Sequence, residues 1–455
     1  MNHTRSLAAF CANLSYDQLP KEVIDKAKLC ILDYIANIYG SLELDAVRQV
    51  IDHVRSVNAG GSSTVLGCGF KTDIHHAAFL NGTLAEAIEA QDGYRFGGNH
   101  PGAAVIPAAL AAAEARQVGG KEVIAAVVAG YEAANRPAAA MHPWHSLSGF
   151  LPTGTCGTFG AVAACARIHQ LNEDKMTNAL GNAGYLAPIS MAEQLMGGFT
   201  IKIVQAGQAA SAGIMAAGLA GCGLTGAPWV FEGSALKGGF TQITSRVDPK
   251  SDKLSDGLGE HYSIMDIYFK PYTACRHTHG AIQATLELAS EQKIPPNEVA
   301  NIYVYTYGIA ALAVGKPFAE KDSFVNAQFS IPYVVAAALA DGQLGPGQLT
   351  EKRLSDPDLI AFARKISVSN DDLLNGLYPD KTPSRVEIAL KDGRKLIRQI
   401  DIPKGDPRDP MTEADIIQKV KTYGAGRDAG TISDAIEMIL NLEALDHVAP
   451  LIRKI

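Results

Sequence analysis

The sequence predicts a mainly α protein: a large all-helical domain with a smaller α+β domain before its last helices. Three observations carry this. Ala-rich runs with helical periodicity fill the first 267 residues. Two strongly strand-like stretches, Ile302–Tyr307 and Arg385–Ile402, lie inside 268–403. Helical patterns return over 412–423 and 431–443. The expected organisation is therefore helical over 1–267 and 404–455, and α+β over 268–403.

Taken in order, residues 18–40 read as an amphipathic helix, with Pro20 in its first turn, Val23, Ala27, Ile31 and Ile35 on one face, and Gly40 as its stop. A second helix covers 44–58 through Val47, Ile51 and Val54, and a third covers 72–91, capped by Asp73. Residues 91–102, Q-D-G-Y-R-F-G-G-N-H-P-G, break the pattern, because four glycines in so short a run disfavour a helix. A polar Gly-rich loop between apolar helices is a candidate site, and it holds Asp92, Tyr94, Arg95 and His100. Helices follow at 103–117, 121–135, 157–170, 177–186 and 207–220, interrupted by the loop 141–155 with His142 and His145. Their small residues let backbones approach closely, which predicts a dense, buried bundle. Beyond 268, Asn326–Leu339 reads as a helix, Ile366–Val368 as a short strand, and Arg385–Ile402 as a hairpin turning at Asp392-Gly393.

Composition limits the function. The 455 residues are 47% hydrophobic and 19% charged, so the chain can bury a large core, and its net charge of −7 argues against nucleic acid as a partner. Seven cysteines without a C-x-x-C pair do not form a disulfide framework and fit a reducing, cytoplasmic setting. No apolar run reaches the roughly 20 residues of a membrane span, and the first residues lack a signal-peptide core. Gly221–Gly226 matches G-x-G-x-x-G but follows a helix-like run, so it is not read as a dinucleotide site, and no phosphate loop is present. His142 and His145 have a metal-like spacing but no completing ligands. Neither a metal nor a nucleotide cofactor is expected.

The densest cationic stretch is Phe269–Ala281, F-K-P-Y-T-A-C-R-H-T-H-G-A, with Lys270, Arg276, His277 and His279 around Tyr272 and Cys275. Flanked by apolar residues, it is read as an anion-binding site more readily than as a solvated basic loop. A small polycarboxylate needs several such cations, Arg for bidentate grip and Lys as a point charge. His100 is the candidate base for removing a proton next to a carboxylate.

Seven motifs in order carry a resemblance: Asn81-Gly82 with the acidic run to Asp92, His100-Pro101-Gly102, Gly149–Gly160, Lys202 with Gly207 and Ala209-Ala210, Lys270–His279, Asn326–Tyr333, and Pro403–Pro407. On these the chain resembles the MmgE/PrpD family, nearly end to end. The resemblance implies a helical domain with an α+β lid, a site between them, a homodimer, no metal or nucleotide, and a small di- or tricarboxylate substrate. It implies catalytic roles for His100, Asp92, Lys202 and Lys270, with Tyr94, Arg95, Tyr272, Arg276, His277 and His279 binding substrate. The implied activity is that of a lyase, dehydratase or decarboxylase; an isomerase or epimerase is the alternative, and a non-catalytic carboxylate binder a further one. The sequence departs from the family where Leu151 replaces a common histidine before Pro152, and where Gln205 stands at another position often held by His. His142 and His145 are the candidate replacements.

Overall fold

The computed structural model describes residues 2–58, 60–236 and 238–455. Its body is a packed set of helices. The helix Pro152–Ile168 sits at the centre and packs on Gly120–Met141, Pro101–Arg116, Glu173–Leu186 and Gln205–Gly221. Almost every residue of Pro152–Ile168 is buried. Such proximity requires small side chains. A Cβ on Gly160 would lie 2.7 Å from the Gly130 carbonyl oxygen, and one on Gly207 would lie 2.1 Å from the Phe79 carbonyl oxygen.

Local signals set most helix ends. The Asp73 carboxylate accepts the N–H groups of His75 and His76 at the start of Ile74–Ala87. Pro101 and Pro152 occupy first-turn positions, where a missing N–H costs nothing. Gly40 does not stop its helix, which runs Lys21–Ser41. It serves close packing instead, since a Cβ there would meet Pro346 and Ile88 at 2.8 and 2.9 Å. The helix expected over Asn326–Leu339 is two helices, Phe324–Gln328 and Ile331–Asp341, because Ser330 caps the second by accepting the Tyr333 N–H and Pro332 opens it. The run Thr200–Gly221 is long and apolar enough to cross a membrane by length and composition, contrary to the count of apolar residues alone. Its most apolar window is 67% buried inside the protein, as in a core helix.

A short hairpin pairs β1 (Ser63–Val65) with β2 (Phe70–Thr72). The two-residue strands β3 (Gly93–Tyr94) and β4 (Ile267–Tyr268) pair antiparallel and bring the Gly-rich loop beside Phe269-Lys270. Gly93 is needed there, because a Cβ would fall 2.3 Å from the Tyr268 ring. A four-stranded sheet follows, in the order β6 (Ile366–Asn370), β5 (Val299–Thr306), β7 (Ser384–Leu390), β8 (Lys395–Ile400). β5 and β6 are parallel; the other pairs are antiparallel. The alternating burial of β7 turns Val386 and Ile388 inward, and the helix His279–Gln292, which sequence periodicity did not single out, packs on β7 and β8. The inner face of the sheet and the helical body share one contiguous apolar cluster. Beyond the sheet, the helix Glu413–Tyr423 returns to pack on Lys21–Ser41.

Gly82 and Gly207 meet where the helices Ile74–Ala87 and Gln205–Gly221 cross; a Cβ on Gly82 would lie 2.7 Å from the Gly207 Cα. Overpacking of this kind costs about 1–3 kcal/mol. Gly207→Ala is expected to lower stability by that amount in denaturant unfolding, whereas Gly218→Ala, at a position with open space around it, leaves stability within about 0.5 kcal/mol.

Candidate active site

The helix Ile74–Ala87 ends in A-E-A-I-E-A, and Glu89 turns the chain with a left-handed φ of 55°. This places Glu86 and Glu89, both buried, on the same side of the helix end. Two lysines from distant parts of the chain meet them. Lys202, in the turn Thr200–Val204, reaches Glu86 at 2.7 Å and also pairs with Glu89. Lys270 extends from the segment after β4 and contacts the other Glu89 oxygen at 2.7 Å and the Glu89 carbonyl at 3.1 Å. Two carboxylates and two ammonium groups balance, which is what makes their joint burial tolerable.

Burial opposes ionisation of Glu89, but Lys202, Lys270 and the neighbouring His100 outweigh it and hold its carboxyl well below the glutamate range. Glu86 moves the other way: burial raises it and Lys202 offsets only part of the effect. Burial also works against charge on Lys202, but Glu86 and Glu89 outweigh it and keep its pKa above the ordinary lysine range. Gln205 donates to Glu86 at 2.8 Å and so completes this network.

His100 closes the cluster. Its Nδ1–H donates to the Asp92 carbonyl at 2.6 Å, since a carbonyl can only accept, and its backbone N–H donates to Thr153 Oγ1 at 3.0 Å. The tautomer is thereby fixed with the lone pair on Nε2, which lies 3.8 Å from Glu89, beyond hydrogen-bond range. Burial, then Lys270, pull the imidazole down to about 3, so it is neutral near pH 7. Its side chain is 17% exposed, against 3% for Glu89 and Lys202 and none for Lys270, so His100 is the open edge of the cluster.

The other expected site residues divide. His277 lies near Lys270; its Nδ1 shares a short hydrogen bond with the Tyr307 hydroxyl, and burial with Lys270 and Arg276 pulls it down to about 4. The Asp92 carboxylate, expected beside His100, turns inward instead, accepting from the Tyr131 hydroxyl and from Gly102 N–H at 3.1 Å. Only its carbonyl touches His100. Arg95 donates to the Pro379 and Asp380 carbonyls at 2.6 and 2.7 Å, and Arg276 to those of Lys404 and Pro403 at 2.8 and 2.6 Å. Both guanidiniums fasten loops and do not join the lysines. Tyr94 pairs in the β3–β4 ladder. His279 is fully buried and donates from Nε2 to the Ala274 carbonyl, with the Tyr272 ring tilted against it at 5.2 Å.

Leu151 precedes the first turn of Pro152–Ile168 and donates its N–H to Ser190. His145 does not replace the imidazole absent there: its two ring nitrogens are held by Thr244 and Thr155 at 2.9 and 2.8 Å. His142 is half-buried with a free Nδ1. The carboxylate of Glu86 went unnoticed in the sequence, although two glutamates three apart among Ala and Ile were a legible sign of a paired buried charge.

The chain belongs to the MmgE/PrpD family. The family's N-terminal domain matches residues 5–252 and its C-terminal domain residues 272–443. It is similar to the cis-aconitate decarboxylase of Aspergillus terreus (strain NIH 2624 / FGSC A1156), 28% identical over 99% of this chain and 95% of that protein. It is also similar to the cis-aconitate decarboxylase-like protein oryM of Aspergillus oryzae (strain ATCC 42149 / RIB 40), at 26% over 99% and 96%, and to the cis-aconitate decarboxylase of Homo sapiens, at 25% over 98% and 93%. As a member with these relatives the chain is a lyase, of the carboxy-lyase or dehydratase kind.

Asp92 yields a pH test. Burial raises its carboxyl from 3.8 to about 7. Below 3.8 folded and unfolded chains are both protonated here. Between 3.8 and about 7 only the unfolded chain ionises, so stability falls as pH rises through that window and is level above it. Asp92→Asn is expected to remove this slope while keeping the Tyr131 hydrogen bond. Unfolding free energies measured from pH 5 to 8 should be flatter in the variant than in the wild type.

Proposed function

We propose that the protein is a cofactor-independent lyase acting on a small di- or tricarboxylate, with His100 handling the proton and Lys202 and Lys270 stabilising the developing charge. The observation that carries this is the oriented, unbonded Nε2 of His100 at the open edge of a two-lysine cluster. The relatives favour decarboxylation of a cis-aconitate-like substrate over dehydration. In that reaction the bond from carbon to one carboxylate breaks and CO2 leaves. The electron pair spreads through the neighbouring double bond, and a proton is delivered to carbon. The lysines lower the energy of the delocalised anion. A bound polyanion raises the proton affinity of His100, because it counters the Lys270 charge that depresses the imidazole. A loaded His100 thus takes a proton from solvent on Nε2 and delivers it to the carbon that CO2 has left. His277, hydrogen-bonded to Tyr307, is the second proton-handling group.

In this reading Glu89 holds the place a substrate carboxylate takes between the lysines, and residues 268–403 form a lid that carries Lys270 to and from the helical body. His100→Asn keeps a hydrogen-bonding side chain but no proton transfer, and should reduce kcat by about 10²–10⁴. Lys270→Met should mainly raise KM. The assay is CO2 release from cis-aconitate together with deuterium incorporation into product. CO2 release unchanged in His100→Asn would move the proton role to His277. Deuterium exchange without CO2 would favour the epimerase reading.

We also propose a homodimer. Tyr185, Ile189, Leu236 and Ile243 are 92, 67, 87 and 62% exposed, and Tyr185, Ile189 and Ile243 line an open apolar cavity of about 860 Å3 with Trp229. Apolar surface of this extent supports burial against a second copy. Sedimentation at micromolar concentration should give twice the chain mass of 48.1 kDa, and Tyr185→Glu with Ile243→Glu should return it to the monomer mass. The seven free thiols support a reducing, cytoplasmic location.

A further inference from the structure

Two buried acceptor atoms at the edge of the lysine cluster lack a donor. The fully buried Glu86 uses one oxygen, Oε1, for both of its contacts: Lys202 Nζ at 2.7 Å and the Gln205 Nε2–H at 2.8 Å. Among the described residues its other oxygen, Oε2, has no hydrogen-bond partner, and neither has Oε1 of Gln205. A carboxylate oxygen and an amide carbonyl oxygen only accept, so they cannot satisfy each other while Glu86 is ionised. Glu89 differs, because one of its oxygens meets Lys202 and the other Lys270.

One proton supplies what both bare atoms lack. A carboxylic acid and a primary amide join through two hydrogen bonds, the amide N–H to the acid carbonyl and the acid O–H to the amide carbonyl. Glu86 and Gln205 already share the first. The two atoms that make the second are the two without partners. The charges around Glu86 are Lys202 and Glu89, with Lys270 and His100 beyond Glu89 and the Lys419–Asp33 pair at the Ala90 carbonyl. Burial raises the Glu86 carboxyl, Lys202 opposes it, and the Glu89 charge adds to the rise. A substrate carboxylate entering here adds a third anion to a cluster of two carboxylates and two ammonium groups.

We propose that Glu86 is a positioning residue that absorbs this added charge: as a polycarboxylate binds, Glu86 Oε2 takes a proton from solvent and donates it to Gln205 Oε1. The proton adds to an oxygen lone pair and no bond in the protein breaks. Lys202 then faces one carboxylate of the protein instead of two, which leaves its charge for the ligand. The inference rests on the proposed binding of a di- or tricarboxylate at the two lysines.

The test is calorimetric titration of the full-length chain with propane-1,2,3-tricarboxylate. This probe has neither the double bond nor the hydroxyl that the lyase reactions need. Titrations in two buffers of different ionisation heat give the protons taken up per ligand. The wild type should take up about one proton more than Glu86→Gln, whose amide is neutral throughout and can still pair with Gln205. Uptake by His100 is common to both. The excess should pass through a maximum with pH, because Glu86 is protonated with or without ligand at low pH and in neither state at high pH. A second measurement needs no variant: with ligand labelled by carbon-13 in its carboxyls, binding should bring up an infrared carbonyl band of a protonated protein carboxyl. Equal uptake in wild type and Glu86→Gln, loss of the excess in Asp92→Asn instead, absence of the band, or no binding of the probe by the wild type would each overturn the proposal. Failure of the lyase reading shows separately, as no CO2 release from cis-aconitate by a wild type that binds the probe with this uptake.

Discussion

A single carboxylate, that of Glu89, is held between two lysines that reach it from Lys202 and Lys270. Much of the architecture follows from satisfying this buried charge. The Gly82–Gly207 crossing brings the helix of Glu86 against the helix that follows Lys202. The β3–β4 pair, with its obligatory Gly93, delivers Lys270. Lys419, paired with Asp33 at 2.7 Å, donates to the Ala90 carbonyl at 2.6 Å and so pins the chain just beyond Glu89. An uncompensated charge in this place would cost about 3–5 kcal/mol, which is why helices and loops from four regions converge on it.

In the proposed function the two ammonium groups that Glu89 now neutralises are the ones that would meet a substrate carboxylate in its place. His100 borrows its orientation from the Asp92 carbonyl, and Asp92 in turn is fixed from behind by Tyr131 and Gly102. Asp92 thus touches His100 only through its backbone carbonyl.

The helical body was legible in the sequence because Ala and Gly at helical spacing have few other uses, and the hairpin over 384–400 was legible because its alternation surrounds a D-G turn. The split at Phe329-Ser330 was not, because a serine cap and a proline at a helix start leave the apolar pattern unbroken. The helix His279–Gln292 was obscured by the basic cluster at its start. Lys202, Lys270 and His100, singled out by the short motifs around them, meet at Glu89. Arg95 and Arg276 tie main-chain carbonyls, a use that sequence does not separate from gripping a ligand. Pairing across 181 positions, as between Glu89 and Lys270, is set by tertiary packing and leaves no local trace.

The central claim is that Glu89 and Lys270 are one energetic unit joining the helical body to the segment after β4. A double-mutant cycle in unfolding free energy, using Glu89→Gln, Lys270→Met and the pair, measures this directly. The account predicts a coupling above about 1 kcal/mol, with the double variant more stable than the sum of the single losses implies. Losses that add within about 0.5 kcal/mol would contradict it.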